Sequence, residues 1–241
     1  MPDGMYYSTL LASVPNIVHG YSSRDLGDMR KGENRNAVLN LLTLKPERLV
    51  TSQQVHGRKI QIVSDARHLG KEIPDADGLV SAKRFGPMSL AVRVADCVPI
   101  LAVDPQASVI GVAHAGWKGT LGGISGELMA AMKSVGANID HTLASIGPHI
   151  GMCCYNVSEE RAAQFFDVFE RDPLVVSRLE GAMHVDIGYT NQRQLLAAGV
   201  KREHIDNAIT CTSCQADTYY SYRKDSKETF GEILGIIGFS I

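Results

Sequence analysis

Apolar positions along this 241-residue chain fall into short runs divided by polar turns, and their spacing alternates between two periods. Runs of four to eight apolar, often β-branched, residues predict strands, and apolar residues three and four apart predict helices. The densest apolar region is Met88 to Thr120, MSLAVRVADCVPILAVDPQASVIGVAHAGWKGT. Its runs MSLAVRVA, VPILAV and SVIGVAHA read as strands buried on both faces, which predicts a layered α/β arrangement. Asp96, Cys97 and His114 fall at the ends of these runs, and the turn HAGWKG follows at once.

The same reading extends to the rest of the chain. Ile17 to Tyr21 predicts a strand, and Ala37, Val38, Leu41 and Leu42 recur at helical spacing until Pro46 closes the segment. Leu49 to Val55 and Lys59 to Val63 predict two strands with His56-Gly57 at the turn between them. Leu121, Ile124, Leu128, Ala131, Met132 and Val135 predict one helix that Gly136 ends. Leu143 to Ile146 reads as a strand, and Ser158 caps a helix whose Ala162, Phe165, Phe166 and Phe169 form a core stripe. A strand and helix ending at Gly199 follow, then a strand at Ala208 to Thr212 and a terminal strand in EILGIIGFSI. No linker, low-complexity tract or composition break interrupts the chain, so a single domain over 1–241 is expected.

Composition narrows the function classes. A net charge of -2 and a pI near 6.4 argue against a general electrostatic grip on nucleic acid. The N-terminus lacks a basic segment followed by an apolar one, and no run reaches the roughly 18 to 20 apolar residues of a membrane helix. Five cysteines do not suggest a disulfide framework, so a cytoplasmic, thiol-reduced enzyme is the expectation.

The chemistry-bearing residues allow two readings. His56, Cys97 and His114 together would make a three-ligand metal site with an open fourth position, the pattern of catalytic zinc. Without metal, Cys97 and His114 would make a nucleophile and its base. Arg24 is a candidate anion ligand beside the ordinary reading of a solvated loop arginine. Lys118 adds charge to a turn that opens a helix, although the Walker spacing is absent. Asp75 and Asp77 invite an acid/base or hard-metal role, but Pro-Asp and Asp-Gly are turn chemistry, which is preferred for Asp75. Cys153, Cys154, Cys211 and Cys214 could be drawn as a four-cysteine zinc site. Only CTSC has knuckle spacing, however, and adjacent cysteines diverge on an extended chain, so packing thiols are expected.

QVHG, ADCVPIL, HAGWKGT, GPHIGMCCYNV and CTSC…YYSYRKD occur in that order across most of the chain. Together they resemble the laccase-domain family, whose older name is multicopper polyphenol oxidase and whose members are described as zinc-dependent purine nucleoside phosphorylases. The resemblance implies a four-layer α/β/β/α fold with mixed sheets, similar in architecture to bacterial cysteine deamidase toxins. It implies metal ligation by His56, Cys97 and His114. It also implies phosphorolysis of adenosine, inosine, guanosine and methylthioadenosine, adenosine deamination, and in some members peptidoglycan precursor editing. Two departures from the family pattern are visible: a shorter loop, SSRDLGDMRKGENR, from which only Arg24 carries over, and His149 where a cysteine is usual.

Eight histidines, most without clustered His-x-His spacing, do not supply the four coppers of a laccase. One N₂S site favours zinc or a single copper. A zinc there is expected to acidify a water toward a pKa of roughly 7. Arg24 and Lys118 are then the expected phosphate ligands, and Asp96 or Asp77 a proton carrier or a group supporting the ligands. The first rival is a metal-free cysteine hydrolase acting on peptidoglycan precursors, with Cys97 as nucleophile and His114 as base. A second is a non-catalytic binding or scaffold protein whose metal is structural, which the open three-ligand pattern disfavours, and the older family name adds a polyphenol oxidase.

Overall fold

A computed structural model describes residues 3–240. In chain order the strands are β1 (Met5–Tyr6), β2 (Ile17–Ser22), β3 (Leu49–Ser52), β4 (Ile60–Ile62), β5 (Glu72–Ile73), β6 (Gly78–Ala82), β7 (Ser89–Val94) and β8 (Val98–Asp104). They continue with β9 (Val109–Ala115), β10 (Leu143–Ile146), β11 (Asn156–Val157), β12 (Val176–Leu179), β13 (Ala182–Val185), β14 (Ile205–Asn207) and β15 (Ile233–Phe239). The helices are α1 (Thr9–Ala12), α2 (Gly32–Leu41), α3 (Trp117–Leu121), α4 (Ile124–Ser134), α5 (Glu159–Phe169) and α6 (Ile187–Ala197).

Two six-stranded sheets form the centre. The first has the order β1-β2-β15-β7-β3-β5 and the second β14-β10-β8-β9-β6-β4. Both are mixed: β3 runs parallel to β7 and β5, and β4 to β6, while the central pairs β15–β7 and β8–β9 are antiparallel. Leu90 and Val92 of β7 pack against Leu101 and Val103 of β8 and Ile110 and Val112 of β9, which fills the space between the sheets. On the outer face of the first sheet, Ala91, Leu234 and Ile236 meet Val38 and Leu39 of α2. On the outer face of the second, Ile100, Ala102 and Ala113 meet Leu128 and Met132 of α4 and Leu195 of α6. The layers therefore run α/β/β/α. Every residue of β8 and β9 is buried, as continuous apolar runs require of strands covered on both faces. A small third sheet, β11-β13-β12, borders α5.

Several elements differ from the sequence expectation. β3 and β4 do not form a hairpin, because β3 belongs to the first sheet and β4 to the second, so the His56 segment is a crossing between sheets. The helix expected from Leu121 to Val135 is broken into α3 and α4 at Gly122-Gly123, where Gly123 has φ +82°, a conformation glycine adopts at no steric cost. On α2 the buried pair is Val38 and Leu39, which pack with Ala91, Leu234 and Ile236, and Leu41 is exposed on the side away from them. The strand expected at Ala208 to Thr212 is displaced to β14, leaving a single bridge between His149 and Cys211.

Candidate metal centre and cleft

Parallel pairing of β3 with β7 puts the C-terminal ends of both strands at one edge of the first sheet. From that edge each crosses to the second sheet, β3 through residues 53–59 to β4 and β7 through 95–97 to β8. His56 stands on the first crossing and Asp96-Cys97 on the second. β9 lies antiparallel to β8 with His114 opposite Pro99, so the end of β9 returns to the start of β8. Two crossings and one strand end thus converge.

Both crossings are tightly bent. His56 has φ 60° and Asp96 has φ 76°, left-handed values that cost a non-glycine residue on the order of 1–3 kcal/mol. Hydrogen bonds hold them there. The Asp77 carboxylate accepts the backbone N–H groups of Val55 (3.3 Å), His56 (2.8 Å) and Gly57 (2.7 Å). The Asp96 carboxylate accepts the Thr212 hydroxyl at 2.6 Å and the Arg223 backbone N–H at 2.7 Å. Gly116 lets the chain pass close to the centre. A Cβ there would lie 3.1 Å from both the Cys97 Sγ and the His56 ring.

The donor atoms of His56, Cys97 and His114 all lie within 4.8 Å of one another. The two imidazole rings meet edge to face, with centroids 4.8 Å apart and planes at 86°. Nδ1 of His114 is 2.9 Å from Oδ1 of Asp77, which is fully buried, so Nε2 is the nitrogen left for Cys97. Burial opposes ionisation of the Cys97 thiol, but the charge and hydrogen bond of His114, and then His56, bring it down to about 7. Burial likewise disfavours the His114 imidazolium, yet Cys97 and Asp77 raise it to about 9. Without metal, between about pH 7 and about pH 9, the pair is therefore a thiolate beside an imidazolium. Asp77 is itself held below the usual carboxylate range, since His114 and the backbone N–H groups outweigh its burial.

Two imidazole nitrogens, one low-pKa thiolate and a carboxylate fixing the histidine tautomer fit a thiophilic divalent ion such as zinc, with a fourth position open. The three side chains line a cavity of about 630 Å³, within the usual range for a small-molecule site. Among the described residues, donor side chains converge in one other place, the cluster of four cysteines, so only two of the eight histidines stand in a metal-capable group.

The other expected site residues are distributed differently. Asp77 touches His114 and cannot meet a substrate, because it is fully buried and its oxygens are taken up. Asp96 lines the cavity, but both its oxygens already accept hydrogen bonds, which hold the bend just before Cys97. Arg24 is not at the cavity. Its Nη2 reaches both oxygens of Asp225 at 2.6 and 2.7 Å, and its guanidinium lies over the Tyr220 ring. Lys118 is exposed outside the cavity, its ammonium 5.6 Å from the Trp117 ring centroid. Asp75, with φ 51°, is the turn residue expected. His149 is buried, with Nδ1 2.7 Å from the Gly147 carbonyl and its ring against Gly188, so it fills space.

Residues overlooked in the sequence complete the walls: Arg93, Tyr155, Arg161, Tyr222 and Phe230. Glu72 and Glu232 hold Arg93. Arg161 lies over the Trp117 ring at 4.2 Å, and its buried Nε has no hydrogen-bond partner. It sits in the first turn of α5, where the helix dipole disfavours a cation, and that placement is a signal the sequence does contain.

Residues 20–240 match the family described as multi-copper polyphenol oxidoreductase laccase. The chain is 35% identical over 218 residues to the purine nucleoside phosphorylase YlmD of Geobacillus stearothermophilus, covering 85% of this chain and 77% of the relative. It is 32% identical over 185 residues to the adenosine deaminase RL5 of an unknown prokaryotic organism, covering 73% and 70% of the two chains. The crystal structure of the Geobacillus YlmD superposes with a TM-score of 0.85 at 30% identity, covering 97% of this chain and 94% of that one. By sequence and by fold, the chain belongs to the multi-copper polyphenol oxidoreductase laccase family.

Proposed function

We propose that this protein is a zinc-dependent purine nucleoside phosphorylase acting on adenosine, inosine, guanosine and methylthioadenosine, with adenosine deamination as a second activity of the same centre. The observation that carries this reading is the convergence of His56, Cys97 and His114 at the cavity, with Asp77 behind His114. The names of the Geobacillus and Streptomyces griseus relatives support phosphorolysis, and that of RL5 supports deamination.

His56, Cys97 and His114 would hold the zinc. When bound, the ion supplies Lewis-acid stabilisation of negative charge developing beside it. Asp77 keeps the His114 proton on Nδ1. Arg161, with no carboxylate partner among the described residues, replaces Arg24 and Lys118 as the phosphate ligand. Exposed Tyr222 and its neighbour Phe230, in edge contact at 5.8 Å, offer aromatic surface to the purine. In phosphorolysis a phosphate oxygen bonds to the ribose C1′ as the C1′–N9 bond breaks. Its electron pair leaves with the purine, which takes up a proton. The thiolate–imidazolium pair favours the second reading, a hydrolase acting on peptidoglycan precursors with Cys97 as nucleophile and His114 as base.

Metal removal separates the two. Dialysis against a chelator is expected to abolish phosphate-dependent release of adenine from adenosine, and added zinc to restore it. Full phosphorolysis by metal-free protein would overturn the zinc reading.

A further inference from the structure

Cys153, Cys154, Cys211 and Cys214 play no part in the chemistry above, yet their four sulfurs lie within 4.8 Å of one another. The expected packing role fails, because two of the four, Cys153 and Cys214, are exposed. Nor do the neighbouring side chains of Cys153 and Cys154 diverge. Residues 151–155 form a tight turn in which the N–H groups of Cys154 and Tyr155 both donate to the Gly151 carbonyl, at 3.0 and 3.1 Å. In that turn both sulfurs face one side. Opposite it, Cys211 opens a second turn, with the Gln215 N–H donating to its carbonyl at 3.0 Å. The bridge between His149 and Cys211 sets the two segments side by side.

The sulfur separations are those of free thiols rather than a disulfide, and they fit a metal site. Cys214 Sγ is 3.6 Å from Cys153 Sγ and 3.4 Å from Cys154 Sγ. Four thiolates placed about 2.3 Å from a tetrahedral zinc have sulfurs about 3.8 Å apart, whereas a disulfide needs about 2.05 Å. Backbone N–H groups of Gly151 and Cys214 also point at the Cys211 sulfur. In a C-x₂-C knuckle such donors offset the negative charge of the ligands.

We propose that Cys153, Cys154, Cys211 and Cys214 form a second metal site, a closed four-thiolate structural zinc site distinct from the His56–Cys97–His114 centre. Binding forms four Zn–S bonds and releases the four thiol protons to solvent, leaving a net charge of -2. The Arg223 guanidinium, which donates to the Cys154 carbonyl at 3.3 Å, brings positive charge to this unit. The site ties the turn at 151–155 to the segment that carries Thr212 and Arg223. Those two residues hold the Asp96 carboxylate, so the second ion braces the crossing that presents Cys97.

Zinc counting on the full-length protein, purified without chelator under reducing conditions, tests this. Two zinc ions per chain are expected in the wild type. A Cys211→Ser, Cys214→Ser double variant is expected to keep one, and a His114→Ala variant also one, so loss of either centre is read separately. Should the double variant not fold, anomalous diffraction at the zinc edge from wild-type crystals still decides. A peak enclosed by the four cysteine sulfurs supports the site. One zinc per wild-type chain with no such peak overturns it.

Discussion

Nδ1 of His114 lies 2.9 Å from the buried Asp77 carboxylate, whose oxygens also accept the backbone N–H groups that shape the His56 crossing. One side chain therefore orients two of the three candidate ligands. In Asp77→Asn an amide NH₂ would oppose one of these donors. Zinc affinity is expected to fall 10- to 100-fold, as for other groups that orient metal ligands, and the fold to lose about 1–3 kcal/mol. Competition with a chromophoric chelator measures the first effect and urea unfolding of the metal-free protein the second.

Gly116→Ala places a methyl group 3.1 Å from both Cys97 Sγ and His56 Cδ2. At that distance the two ligand side chains must give way by a few tenths of an ångström, which shifts the donors from their present geometry. The variant is expected to fold with near wild-type circular dichroism yet retain less than half the zinc of this centre, measured by metal analysis.

Metal uptake by the metal-free protein should depend steeply on pH. Between about 7 and about 9 the pair is thiolate and imidazolium, so zinc displaces one proton, from His114. Affinity is expected to rise about tenfold per pH unit there. Below about 7 the Cys97 proton must also leave, and the slope approaches a hundredfold per unit. Calorimetric titration in buffers of different ionisation enthalpy counts the protons released.

Arg161 and Arg24 should separate by readout. Arg161→Ala is expected to raise the KM for phosphate at least tenfold with little effect on melting. Arg24→Ala removes the partner of Asp225, which is almost buried, and is expected to destabilise the fold by about 1.5–3 kcal/mol while the phosphate KM stays put. Steady-state kinetics against phosphate, with thermal melts alongside, distinguishes them.

The layered fold was legible because continuous apolar runs such as VPILAV and SVIGVAHA can only be satisfied by strands covered on both faces. The trio was legible from residue type, two histidines and a cysteine at element boundaries. Their meeting depends on β3 and β7 crossing between sheets, which local periodicity does not encode. The Arg24 partner was not legible, because a guanidinium in a polar loop reads alike whether it meets a ligand or Asp225, far along the chain. The cysteine pair at 153–154 misled because spacing rules presume an extended backbone, whereas the turn at Gly151 folds both sulfurs to one side.

The most direct test of the central claim is product analysis after adenosine is incubated with zinc-loaded protein, with and without inorganic phosphate. Adenine and ribose 1-phosphate are expected in equal amounts only when phosphate is present, and neither product from a Cys97→Ser variant. Unchanged adenosine in the presence of phosphate, or equal product from Cys97→Ser with its zinc intact, would contradict that claim.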